Sequence, residues 1–365
     1  MNRLFNFSAG PSTLPLSVLE ETARELPDYR GAGMSLIEMS HRSKAYMAVQ
    51  SEAAALVKSL LGLSDRFTVL FLGGGATLQF SMIPLNWLGP NKACDFTLTG
   101  AWAKKAHADA VKVGQTNVVY DGKTGHYATL PDPATLRANP GAAYFHMTSN
   151  ETIGGVQWRD WPDTSAVPIV ADMSSDIMSR PLPTEKFGLI YAGAQKNLGP
   201  AGLALAIVRD DMLARCADSL PAYLQYKTHA EAGSLYNTPP VFCVYVLHKT
   251  LRWLDALGGV AAAENLAEER AGLVYEAIES SHGYYRCPVA PAVRSRMNVV
   301  WRLPSEDLEK TFVAEAEAQG LSGLKGHRSV GGCRASLYNA MPLEGARALA
   351  AFMKTFERNH PAKKR

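Results

Sequence analysis

The sequence predicts an α/β protein, with a mainly parallel seven-stranded sheet in a large domain and a smaller α+β C-terminal domain. Three observations lead there. Seven short apolar runs rich in β-branched residues alternate with longer segments of helical period between residues 67 and 208. Two long helical segments then interrupt that alternation, and a different, strand-and-helix pattern follows them. The chain of 365 residues also exceeds the roughly 250–300 residues at which a single hydrophobic core stops growing.

Taken in chain order, Lys44–Leu61 has apolar residues at helical spacing and stops at Gly62, a residue suited to a left-handed C-cap. The expected strands are Phe67–Leu72, Ala93–Leu98, Asn117–Tyr120, Ala142–Met147, Pro168–Ala171, Phe187–Tyr191 and Leu203–Val208. Helices are expected between them at Ala76–Trp87 and Ala101–Val113. Val241–Leu257 and Ala261–Glu279 read as the two long helices. The remainder reads as strand Met297–Trp301, helix Asp307–Ala318, strand Cys333–Leu337 and a last helix from Leu343 to Phe356. A frayed tail is expected over Asn359–Arg365.

Composition narrows the function classes. A hydrophobic fraction of 47% with 19% charged residues excludes a disordered chain. The uncharged run Phe67–Asn91 is long enough to span a membrane, but Gly73-Gly74-Gly75, Pro84 and Pro90 break a spanning helix. Met1–Ser8 carries one basic residue and no apolar run, so no secretory signal and a cytoplasmic location are expected. The five cysteines form no CxxC and stand at least 27 residues apart, which argues against a zinc knuckle or a disulfide scaffold; no metal is expected. The net charge of +3 gives no reason to expect nucleic acid as a partner, yet it is uneven: residues 321–365 hold +7 and the rest −4. An anion would be met in the C-terminal segment.

Chemistry concentrates in three places. Thr68–Phe80 reads as strand, triple-glycine turn and helix start, a geometry that points backbone N–H groups at an anion; it also reads as a tight turn with no ligand. It fits neither a Walker A loop, which needs Gly-Lys-Ser/Thr, nor GxGxxG, because Leu78 stands at the third glycine position. Asp172 ends one buried apolar run, and Lys196 follows the next, 24 residues on, in a loop of small residues. In an open α/β sheet, ligands bind at the carboxyl ends of strands. A carboxylate and an amine on neighbouring strand ends suit pyridoxal phosphate, the lysine forming a Schiff base and the acid keeping the pyridine nitrogen protonated. Taken singly, Asp172 also reads as a turn residue and Lys196 as a solvated lysine. Trp102, just after another strand, is placed to cover a planar ring or to pack in the core. The loop Thr148-Ser149-Asn150-Glu151-Thr152 is placed to bring a hydroxyl to a phenolic oxygen, or to form an ordinary polar turn.

Phe5-Asn6-Phe7-Ser8-Ala9-Gly10-Pro11, Ser40-His41-Arg42-Ser43, the glycine turn, Tyr191–Asn197, Asn237-Thr238-Pro239-Pro240 and Lys325-Gly326-His327-Arg328 occur in one order. Together they resemble the phosphoserine aminotransferase family over nearly the whole chain. These are fold-type I pyridoxal-phosphate enzymes of the class V branch, which also holds serine–pyruvate aminotransferases and cysteine desulfurases. The resemblance implies a large domain over residues 16–258, a small one from 1–15 and 259–365, and a homodimer with shared active sites. It implies that Lys196 carries the cofactor and shuttles a proton, Asp172 pairs with the pyridine nitrogen, Trp102 stacks on the ring and Thr152 approaches the phenolic oxygen. Ala76, Thr77 and Gln195 would bind the cofactor phosphate, with Asn237 and Thr238 reaching across from the second subunit. His41, Arg42, His327, Arg328 and Arg334 would meet substrate, Arg334 taking the α-carboxylate; a guanidinium offers paired donors in one plane.

Two positions depart from the family pattern. Some members carry arginine in the glycine turn, where this chain reads Gly75-Ala76-Thr77, and some carry serine where it has Ala9. The substrate phosphate would then depend more on His41, Arg42, His327 and Arg328. The implied reaction is reversible amino transfer from L-glutamate to 3-phosphooxypyruvate, giving O-phospho-L-serine and 2-oxoglutarate in serine biosynthesis. A phosphorylated four-carbon acid on the vitamin B6 route is a second substrate the resemblance allows. The competing readings are a serine–pyruvate type of aminotransferase and a non-catalytic binding protein of the same fold.

Overall fold

Alternate residues of each strand feed two different cores, and this makes the centre of the molecule a three-layer α/β/α structure. The computed structural model describes residues 3–89 and 91–361; Pro90 and the basic tail Lys363-Lys364-Arg365 lie outside the described residues. Strand β1 (Phe5–Asn6) is followed by helices α1 (Leu16–Glu25) and α2 (Lys44–Leu61). Next come β2 (Phe67–Gly73), α3 (Gly75–Trp87), β3 (Ala93–Leu98), α4 (Ala101–Ala110), β4 (Gln115–Asp121), β5 (Phe145–Thr148), β6 (Ile169–Asp172), β7 (Phe187–Gly193) and β8 (Leu203–Arg209). Short helices α5 (Asp210–Leu213) and α6 (Tyr226–Glu231) lead to the long α7 (Val241–Ala256) and α8 (Gly259–Glu279). The last elements are β9 (Asn298–Trp301), α9 (Glu306–Ala318), β10 (Leu321–Ser322), β11 (Cys333–Ser336) and α10 (Leu343–Asn359).

Seven strands form one sheet in the order β2, β8, β7, β6, β5, β3, β4. Only β8 runs against its neighbours β2 and β7, so the carboxyl ends of the other six share one edge. On one face Phe71, Ala171, Ile190 and Leu205 join α2 and α7 residues in a core. On the other, Leu72, Val170, Tyr191 and Ala206 pack with Phe80, Ile83 and Ala106 of α3 and α4. Helix α2 runs as expected, from Ser43, whose hydroxyl accepts the Tyr46 N–H, to a left-handed Gly62.

A further core joins Phe7 to Val274, Trp301, Phe312, Leu321 and Met353. Here β1 pairs in parallel with β10, returning the N-terminal segment to the C-terminal elements, and β9 pairs with β11. Helix α8 belongs to both bodies: Ala263 packs in the sheet-side core and Ala271 in the C-terminal one.

Two expectations need correction, and helix α1 has no counterpart in the sequence pattern because its buried stripe is narrow, only Val18 and Thr22. The strand expected from Ala142 begins at Phe145. The last helix does not fray at Asn359: the His360 carbonyl accepts from the Tyr284 hydroxyl at 2.7 Å, and its ring lies 2.8 Å from Glu315. Among the described residues no helix is long and apolar enough to cross a membrane, and no cluster of His, Cys, Asp and Glu has the makings of a metal site.

Candidate active site

Four strand ends and one glycine turn converge on a cavity of about 360 Å³ at the carboxyl edge of the sheet. Register puts Asp172 at the end of β6 directly between Thr148 of β5 and Tyr191 of β7. One oxygen of its carboxylate accepts both the N–H and the hydroxyl of Ser174, at 2.9 and 2.6 Å. Ser174 Oγ in turn accepts the Gly193 N–H at 3.0 Å, which ties the acid to the end of β7. Lys196 follows β7 in a turn. Its ammonium donates to the Thr152 hydroxyl at 2.7 Å and lies 5.5 Å from the centre of the Trp102 ring. The N-terminal segment closes over this turn: Ser12 donates its hydroxyl to the Lys196 carbonyl at 2.6 Å and its N–H to Gln195 at 3.0 Å.

The glycine turn contributes bare backbone. Gly74 and Gly75 both adopt left-handed conformations, and a Cβ on Gly74 would lie 2.8 Å from Leu78, so the turn admits no larger residue there. Ala76 and Thr77 occupy the first turn of α3, whose N–H groups lack partners within the helix, and both line the cavity.

Burial sets the electrostatics. Lys196 is 8% exposed, and the loss of water pulls its amine down to about 8; Asp172 opposes this shift and Arg334 adds to it. Burial also pushes Asp172 above the usual carboxylate range, against the Ser174 hydrogen bonds and the Lys196 charge that favour its ionised form. Arg334 donates to the Thr152 carbonyl at 3.2 Å, while its buried Nε has no partner. Thr148 Oγ1, on the cavity wall, is likewise buried without one.

An amine near neutrality, a carboxylate, an indole and an anion-binding turn form the donor set that pyridoxal phosphate requires. Comparison with known proteins agrees. The aminotransferase class-V family model matches residues 4–349. The phosphoserine aminotransferase of Geobacillus kaustophilus is 51% identical over 98% of this chain and 99% of its own. The chain belongs to the phosphoserine aminotransferase family. It is a pyridoxal-phosphate-dependent transaminase. Among solved structures, the phosphoserine aminotransferase of Bacillus circulans subsp. alkalophilus superposes with a TM-score of 0.97 at 48% identity, covering 98% of this chain and 99% of that one. The pyridoxal-phosphate-bound enzyme of Trichomonas vaginalis gives 0.88 at 40% identity, covering 96% and 100%.

Of the residues that the family pattern singles out, Ala76, Thr77, Trp102, Thr152, Asp172, Gln195, Lys196, His327 and Arg334 line the one cavity. His41, Arg42, Asn237, Thr238 and Arg328 do not line it. His41 and Arg42 precede α2, Asn237 and Thr238 precede α7, and Arg328 sits on the exposed turn before β11. Ser12, Ser174 and the carboxylate of Glu151 also shape the site, beyond the residues that the sequence singles out. Ser174 had a signal, since a hydroxyl two residues after an acid favours a local hydrogen bond. Ser12 and Glu151 act across distances of 184 and 48 or more residues, and no local pattern carries that.

Proposed function

We propose that the chain transfers the amino group of L-glutamate to 3-phosphooxypyruvate, reversibly, yielding O-phospho-L-serine and 2-oxoglutarate for serine biosynthesis. The observation that carries this reading is the buried Lys196 amine, held at about 8 beside Asp172 in a cavity that Arg334 also lines. A lysine so placed is neutral often enough at physiological pH to bind a carbonyl and to move a proton.

Pyridoxal phosphate, when bound, supplies an electron sink for the pair released at the substrate α-carbon. The first turn of α3, with Ala76 and Thr77, and Gln195 hold its phosphate through N–H and amide donors. Asp172, fixed by Ser174, would hold a proton at the pyridine nitrogen, and Trp102 would cover one face of the ring. Thr152, whose hydroxyl oxygen accepts from Lys196, would donate its hydroxyl proton to the phenolic oxygen. Lys196 takes the proton from the substrate α-carbon and returns it to the carbon that accepts it. Arg334 pairs with the α-carboxylate common to both substrates. The substrate phosphate falls to His327 and Arg328 together with His41 and Arg42.

Those last two, with Asn237 and Thr238, stand away from the cavity of their own chain. We therefore propose a homodimer in which a second copy supplies them to this site. Residues 16–258 form the cofactor-binding domain in this reading, with 1–15 and 259–365 as the small domain. A cytoplasmic location accords with the same chemistry, and the vitamin B6 intermediate with a phosphate on four carbons is a second substrate of the same charge pattern.

Steady-state comparison of O-phospho-L-serine with L-serine as amino donor tests the reading. The phosphorylated donor is expected to have a kcat/KM at least about 100-fold higher, as lost charge-assisted hydrogen bonds imply. Equal values would assign the site to an unphosphorylated amino acid.

A further inference from the structure

Glu151 has no water-accessible surface, stands next to Thr152, and belongs to none of the groups assigned so far. Its carboxylate crosses from the end of β5 to the start of α4, where it accepts the Trp102 N–H at 3.1 Å, the Ala103 N–H at 3.0 Å and the Thr99 hydroxyl at 3.4 Å. Those two amides are second and third in the helix, donors that no intrahelical carbonyl reaches, and the N-cap residue of α4, Gly100, has no side chain to cap them. The approach is so close that a Cβ on Gly100 would lie 2.4 Å from Glu151 Cδ. The backbone of Glu151 is pinned as well: its N–H donates to Val156 and its carbonyl accepts from Gly155, at 2.9 and 2.8 Å. Burial pushes the acid up to about 7, against the pull of the two backbone donors.

We propose that Glu151 is a positioning residue that locks the Trp102 indole and the Thr152 hydroxyl into one rigid unit facing Lys196. The proposal rests on the functional reading above, in which Trp102 covers the cofactor ring. Trp102 sits in the first turn of α4, where helix ends fray, and an indole there wanders unless its backbone is tied down. One carboxylate ties it to the adjacent strand end and draws on the helix dipole to do so. Since the next residue carries the hydroxyl that bonds Lys196, the same anchor fixes the distance between ring cover and amine. It also gives Gly100 a reason: only hydrogen fits between the helix start and the acid.

Two independent variants test this, Glu151→Gln, which exchanges one acceptor oxygen for a donor, and Gly100→Ala, which pushes the acid away. In the cofactor-free protein, exchange of the Trp102 and Ala103 amides is expected to speed up at least about tenfold in both variants, while Val170 in β6 is unchanged. In the loaded protein, cofactor dissociation is expected to rise about tenfold and kcat to fall more than KM rises, with a red or blue shift of the bound-cofactor absorbance. Unaltered exchange at 102 and 103, or a wild-type spectrum and cofactor affinity, overturns the proposal. So does failure of both variants to fold, which would make Glu151 a folding residue. Absence of bound-cofactor absorbance in the wild type itself would instead overturn the functional reading, and the amide-exchange result would stand apart from it.

Discussion

The cluster at the strand ends and the cations proposed to meet the substrate are built on opposite principles. Lys196, Asp172, Thr152 and Glu151 are all buried, with every charge answered by a named partner inside the chain. Arg42 and Arg328 lie exposed on turns, and His41 and His327 are only half-covered. In the proposed reading, the difference separates two tasks. Proton chemistry needs groups whose affinities are shifted by burial and fixed by hydrogen bonds. Recognition of a mobile, doubly charged anion needs cations that stay solvated until the anion arrives, since burying them unpaired would cost several kcal/mol each. Arg334 stands between the two sets, part-buried and bonded to the Thr152 carbonyl.

Substitutions in the outer set should therefore change binding, and those in the inner set proton affinity. Arg334→Ala is expected to raise KM about 10–100-fold for L-glutamate and for 3-phosphooxypyruvate alike, because each carries an α-carboxylate. Arg328→Ala should affect the phosphorylated substrate far more than the other. An effect of Arg334→Ala confined to the phosphorylated substrate would move Arg334 into the outer set.

A smaller effect probes the inner set. The folded chain holds Lys196 at about 8, below its unfolded value, so the charged amine costs stability below that pH and the cost disappears as pH rises from there toward the ordinary lysine range. Acylation of Lys196 in the cofactor-free protein, followed by mass spectrometry against pH, should show its midpoint near about 8. Asp172→Asn should move the midpoint down and Arg334→Ala should move it up, since the first removes an attraction for the proton and the second a repulsion. A midpoint in the ordinary lysine range would mean that the amine is solvated.

The sheet was legible because its seven strands are short apolar runs with breaks between them, and because Gly62 and the triple glycine mark their turns unambiguously. Asp172 and Lys196 were legible for the same reason, each standing where an apolar run ends. Helix α1 was not, because only two of its residues are buried and its anchor is a tertiary one: the buried Lys249 ammonium lies 2.6 Å from Glu21 and 2.9 Å from Glu25. By sequence, Glu151 belongs to a polar loop. Nothing in its neighbours reveals that its carboxylate caps a helix starting some fifty residues earlier, and Gly100, the other half of that contact, looks like any strand-to-helix glycine.

The most direct test of the inner set is the identity of the lysine that carries the cofactor. Borohydride reduction of the loaded protein, followed by peptide mass spectrometry, should place the cofactor mass on Lys196 alone. The Lys196→Ala protein should show neither that adduct, nor the absorbance near roughly 400 nm of cofactor joined to a lysine, nor turnover. An adduct on another lysine, or a Lys196→Ala protein that turns over normally, would contradict the account.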